Sequence, residues 1–269
     1  MLRQTLSIIA VVVLAAGCDD KKTETAPTPA APVTQPAPAV NAAPAAAPAA
    51  APTGAAPAVA VATGGKGDVK GSVKLNGKAP EMAELKRSTD PFCGKTKMKD
   101  QEVVGNLGNV LIHINGAPAA EPPADKAKIE QTNCMYTPRV QGVVAGQTLD
   151  IKNGDPVLHN VHTYKGTSTL FNQAQVPNTP DIEKKFDNNG AMLKFKCDVH
   201  QWMTGFVWVQ NNPYFAVTKD DGSFEIKGVP AGKYEIEAWH ERFGAKKGEV
   251  TVEPGKPAEV KFEYAATDK

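Results

Sequence analysis

From residue 69 onward the chain alternates apolar and polar positions in short runs. Val69 to Leu75 alternates and stops at the turn Asn76-Gly77. Val110 to Ile114 is more continuously apolar and ends at Asn115-Gly116. Further runs cover 140–144, 148–152, 160–164, 206–209, 215–218, 223–226, 234–239, 249–252 and 260–262. A period of two predicts a strand with one face buried. In 193–197 that parity puts Leu193, Phe195 and Cys197 on one face and Lys194 and Lys196 on the other. The breaks between runs are Gly, Pro, Asn and Asp, as at Asp220-Asp221-Gly222 and Pro230-Ala231-Gly232. No stretch of ten or more residues carries a helical period. The expected fold class is all-β, built as sandwiches from many short strands.

The first 65 residues read differently. Arg3 precedes a short apolar run, Leu6 to Ala16, that is too short to cross a bilayer of about 30 Å. It closes on Leu14-Ala15-Ala16-Gly17-Cys18, the pattern of an export signal, 1–17, with its cleavage site. Residues 18–65 follow as a linker, nearly all Ala, Pro, Thr and Val beyond Thr23. Such a composition buries nothing and favours an extended, disordered tether. The globular part divides into 66–124, 125–211 and 212–266, with the Pro-rich stretch 117–123 as a joint.

Charge adds little. Thirty basic and 29 acidic residues leave a net charge of +1, so nothing suggests nucleic acid as a partner. The four cysteines are Cys18, Cys93, Cys134 and Cys197. Export permits a disulfide, and our reading pairs Cys93 with Cys134 and leaves Cys197 free. A free thiol outside the cytoplasm calls for a reason, and a metal supplies one.

The segment Cys197-Asp198-Val199-His200-Gln201-Trp202-Met203 hangs a thiolate, an imidazole and a thioether from one loop at a strand end. Soft sulfur with imidazole suits copper; a thioether is a poor zinc ligand. His159, in Asp155-Pro156-Val157-Leu158-His159-Asn160-Val161-His162, is the best fourth donor. Two His, one Cys and a weak axial Met make the trigonal site of blue-copper electron carriers. His162 has the opposite strand parity to His159 and reads as support or surface. His113 and His240 read as structural.

These residues resemble the amicyanin- and plastocyanin-like cupredoxins. Cys197, His200 and Met203 keep the Cys-x2-His-x2-Met spacing of amicyanin, and His159-Asn160-Val161-His162 is similar to the string holding its first ligand. The resemblance covers about 125–210. It implies His159, Cys197, His200 and Met203 as copper ligands, and Asn160 as the tie between the His159 segment and the cysteine loop. It implies a Greek-key sandwich, a single Cu(I)/Cu(II) ion and a redox protein partner. It also implies that the outer edge of His200 lies at the surface; Trp202 stands beside it and reads either as an apolar docking rim or as core. Gln201 stands where amicyanin has Pro. The start of the chain resembles the lipobox of bacterial lipoproteins, which implies acylation of Cys18 and a lipid anchor in the cell envelope. Residues 213–264, with Gly222-Ser223-Phe224 and Pro230-Ala231-Gly232-Lys233-Tyr234, resemble the carboxypeptidase regulatory-like (transthyretin-like) sandwich. Gly67 to Pro80 resembles its missing opening strand, so the cupredoxin would be inserted in it. The alternative is two consecutive domains with 66–118 as extra strands. Glu237 to Glu241 is a contact patch that could face the copper loop. The leading expectation is a tethered one-electron carrier and not an enzyme. Envelope copper storage or delivery, or a carbohydrate or adhesion module with an idle copper loop, are the alternatives.

Overall fold

A computed structural model describes residues 64–187 and 189–268. The expected export signal, Cys18 and almost all of the expected tether lie outside the described residues. Among the described residues sixteen strands follow one another, and the one helical element is a 3-10 turn at Cys93–Lys95. The fold is all-β.

Two strands open the described residues, β1 (Lys66–Asn76) and β2 (Leu111–Asn115). Nine follow: β3 (Ala127–Thr132), β4 (Met135–Thr137), β5 (Val140–Val144), β6 (Thr148–Asn153), β7 (His159–Lys165), β8 (Ser168–Gln175), β9 (Ile182–Lys185), β10 (Ala191–Lys196) and β11 (Thr204–Gln210). The last five are β12 (Phe215–Val217), β13 (Ser223–Pro230), β14 (Gly232–His240), β15 (Gly244–Val252) and β16 (Ala258–Ala265).

Strand pairing sorts these into nested sandwiches. The outer one stacks the sheet β13-β1-β16 on the sheet β12-β2-β14-β15. Its core holds Val69, Val73, Ile112, Ile114, Phe224, Ile236 and Tyr264, all from positions of one strand parity. The inner one stacks β5-β11-β10-β7-β8 on β4-β3-β6-β9, around Ile129, Tyr136, Leu149, Ile151, Leu193 and Phe195. The chain therefore leaves the outer sandwich after β2 and returns to it at β12. The two crossings lie side by side, where the Ala120 N–H donates to the Asn211 carbonyl at 2.8 Å.

A third apolar cluster joins the sandwiches. Leu111, Val140 and Phe206 are its buried centre, with Trp208, Phe215 and Trp239 packed against it. A methyl group at Gly142 would strike the Phe215 ring, so glycine lets β5 and β12 approach. Beside this cluster the Arg139 guanidinium grips both carboxylate oxygens of Glu241, its NH2 group donating to Oε2 at 3.0 Å. The Glu237–Glu241 segment thus faces the inner sandwich, through Arg139 and Phe206 rather than through the Cys197–Met203 loop. Arg139 is buried and Glu241 largely so, so removing the guanidinium leaves a desolvated carboxylate without its partner. Arg139→Leu is expected to lower unfolding free energy by about 3 kcal/mol, read by urea denaturation, with most of the loss recovered in Arg139→Leu/Glu241→Leu.

His113 and His240 lie inside this framework and far from neutral-water conditions. His113 stacks on Trp208 with ring centroids 4.3 Å apart. Burial pushes both imidazoles down to about 4. Their folded values lie below the unfolded one, so the unfolded chain takes up protons first as pH falls through about 6.5. Stability should drop by roughly 2 kcal/mol per histidine between pH 7 and pH 5. Urea midpoints at the two pH values check this, and His113→Phe should lose part of the slope.

Candidate metal centre

The inner sandwich brings the four predicted ligands to one end. β10 delivers Leu193, Phe195 and then Cys197 to the core, while Lys194 faces out. β7 runs antiparallel to it, with Lys196 opposite His162, which brings the start of β7, at His159, beside the loop after β10. Cys197 ends one side of the loop and Met203 starts the other, where the Met203 N–H donates to the His200 carbonyl at 2.9 Å. His159, Cys197, His200 and Met203 are all buried.

One donor atom each from His159, Cys197 and His200 lies within 4.8 Å of the others. The Nδ1 atoms of the two imidazoles face each other at 2.9 Å, and Cys197 Sγ sits 3.8 Å from His200 Nδ1. Met203 is buried in the same core cluster as Cys197, and its backbone is held to the His200 carbonyl. The donor set is soft and mixed, as copper prefers.

Hydrogen bonds orient the donors. Asp155 Oδ2 lies 2.9 Å from His159 Nε2. An ionised carboxylate only accepts, so Nε2 carries the proton and the Nδ1 lone pair faces inward. The same carboxylate accepts the N–H groups of Asn133 and Cys134 at 2.7 Å each. Asn153 fixes the loop that carries it, donating to the carbonyls of Val157 and Gln175 at 2.9 Å. With His159 Nδ1 accepting, the proton between the rings belongs to His200 Nδ1. His200 Nε2 is then left bare, and this buried nitrogen has no hydrogen-bond partner. An ion seated between the Nδ1 atoms and the sulfur would displace that proton and resolve the mismatch.

The local field favours a thiolate. Burial acts to raise the Cys197 thiol, but contacts from His159 and from the N–H groups of Asn160, His200 and Val199 outweigh it and hold the thiol below its ordinary value. Burial depresses His159, yet Asp155 and Cys197 more than reverse this, and the imidazole lies above its usual range. His200 is lowered by burial and by the neighbouring His159, against a smaller pull from Asp90.

The supporting residues fall near where sequence put them. Asn160 Oδ1 accepts the Asp198 N–H at 2.6 Å and lies 3.4 Å from Cys197 Sγ, tying the two ligand segments together. His162 is half-buried and contacts Asp198 at 3.0 Å, one side chain removed from the sulfur. The Cys93–Cys134 disulfide is formed, and Cys197 is free and buried. His113 and His240 stand apart from the centre.

One placement differs from the resemblance. His200 is 1% exposed, because the long β1–β2 connection folds over its outer edge and sets Asp90 Oδ2 3.5 Å from Nε2. Trp202 is half-buried, with its indole N–H donated to the Cys134 carbonyl at 3.0 Å and its ring 5.1 Å from that of His200. Sequence reasoning also passed over Asp155 and Asp90 as parts of the site. Asp155 carried the weak signal of lying four residues before a ligand; Asp90 carried none.

A family model described as polysaccharide lyase family 4, domain II, matches residues 190–260, which run from β10 into β16 and take in strands of both sandwiches. Among solved structures the chain is similar to a purple cupredoxin from Nitrosopumilus maritimus, at 25% identity over 32% of this chain and 100% of that one, with a TM-score of 0.29. It is similar to amicyanin from Paracoccus versutus at 24% identity over 37% of this chain and 97% of that one, TM-score 0.29. It is also similar to a copper-containing nitrite reductase from Thermus scotoductus at 20% identity over 35% of this chain and 24% of that one, TM-score 0.29. No protein of curated function matches the chain.

Proposed function

We propose that this protein is a one-electron carrier with one copper ion held by His159, Cys197, His200 and Met203. The observation that carries the reading is the convergence of two imidazole Nδ1 atoms and one thiol sulfur in a fully buried cluster. Copper bound there supplies the Cu(I)/Cu(II) couple.

The chain's own residues keep rearrangement small. Asp155 locks the His159 ring and its tautomer. The His200 N–H points at the sulfur at 3.4 Å. The Tyr136 hydroxyl lies 3.0 and 3.1 Å from the carbonyls of Asn160 and Lys196, bracing both ligand strands. Four protein donors leave no open position for a substrate, so the proposal is a carrier and not an enzyme.

With the His200 edge covered, electrons need another way in. Leu158 and Val199 immediately precede the two ligand histidines and are 42% and 51% exposed. The register His159–Gln175 sets Val176, 48% exposed, beside Leu158. We assign partner docking to these exposed apolar residues rather than to Trp202, with a redox protein of the cell envelope as the partner. Among the described residues no helix is long and apolar enough to cross a membrane; the proposed anchor is a lipid on Cys18. The test is titration of the purified protein with Cu(II). The account expects one ion per chain, intense visible absorption and reversible one-electron bleaching. Colourless tight binding of Cu(I) alone would instead indicate copper delivery.

A further inference from the structure

Asp90 does not belong to the sandwich that holds the ligands. It lies on the connection between β1 and β2 of the outer sandwich. That connection is fastened over the metal end by the Cys93–Cys134 disulfide. The Arg87 guanidinium adds hydrogen bonds to the Thr96 carbonyl at 3.0 Å and the Asn133 carbonyl at 2.6 Å. Within it, Asp90 Oδ1 accepts the N–H groups of Phe92 and Cys93 at 2.8 and 2.9 Å. These bonds occupy one oxygen and aim the other at His200 Nε2, 3.5 Å away. His200 Nε2 has no hydrogen-bond partner and is buried.

We propose that Asp90 is a positioning residue of the metal centre, which acts through His200 to favour the oxidised ion. The inference rests on the copper reading above. A carboxylate behind a ligand imidazole makes the ring a stronger donor. Its charge attracts a doubly charged ion about twice as strongly as a singly charged one, and burial weakens the screening. Asp155 stands in the same relation to His159, but comes from the inner sandwich. Each ligand imidazole thus has one carboxylate behind it, and the outer sandwich contributes the second. On this account the outer sandwich completes the redox site.

The test is the reduction potential of the full-length, copper-loaded protein, followed by visible absorption at fixed pH. Asp90→Asn keeps an Oδ1 to accept the two turn N–H groups, removes the charge and sets an amide donor in place of the acceptor facing His200 Nε2. It should retain the colour and raise the ratio of Cu(I) to Cu(II) affinity at least tenfold, about 59 mV for a one-electron couple. Glu81→Gln, an equal charge change at an exposed site of the same connection, should leave the potential where it was. Asp90→Ser, whose hydroxyl can accept a turn N–H, repeats the measurement if Asp90→Asn does not load. Coloured variants with an unchanged potential would overturn this inference alone. A wild-type protein that takes up no copper would overturn the functional reading, and this inference with it.

Discussion

Replacing Cys197 by serine should abolish the visible absorption of the copper-loaded protein. That absorption needs charge transfer from a thiolate to Cu(II), and a serine hydroxyl is a hard, protonated donor at neutral pH. Cu(II) affinity should fall by more than about 100-fold, beyond what loss of a supporting residue costs. A chelator competition measures it. The metal-free fold should change little, because serine is close in size and its hydroxyl can donate to Asn160 Oδ1, now 3.4 Å from the sulfur. The unfolding midpoint of the metal-free variant is therefore the control that separates a ligand from a core thiol.

The second large effect concerns the disulfide. Cys93 and Cys134 are 41 residues apart. Closing a loop of that length removes unfolded-state entropy worth about 4 kcal/mol. Cys93→Ser/Cys134→Ser should lose that much in urea denaturation of the metal-free protein. The bridge also fastens the connection that covers His200. Hydrogen exchange at the backbone of 86–95 should accelerate in the double variant, while exchange in β10 and β11 should follow only the global loss. Equal acceleration everywhere would show that the connection is held by its packing and not by the bridge.

How much of this was legible in the chain depends on how local the cause is. The alternation of Leu193, Phe195 and Cys197 with lysines reads directly as a strand, and the structure buries that face. The opposite parity of His159 and His162 likewise sorted a buried donor from a half-buried neighbour. By contrast, Ser168–Gln175 forms an edge strand with nearly every residue exposed, so it has no apolar alternation to detect. Ile182–Lys185 is too short to show a period, and β3 and β4 went unread as well. The expected export, with Cys18 set aside for a lipid and three cysteines left, pointed to the Cys93–Cys134 pair, but not to what the bridge holds in place. The cover over His200 depends on contacts between residues about 110 positions apart, as with Asp90 and His200, and no local pattern encodes them. The Arg139–Glu241 pair is of the same kind: two ordinary charges become desolvated partners only when the sandwiches meet. The expectation of an exposed His200 came from resemblance, and it failed where this chain carries a long connection over the loop.

X-ray absorption at the copper edge of the loaded protein tests the central claim most directly. The account predicts one ion with a short bond to a single thiolate sulfur and a shell of two imidazole nitrogens. A shell of nitrogen and oxygen alone, with no short sulfur bond, would contradict it.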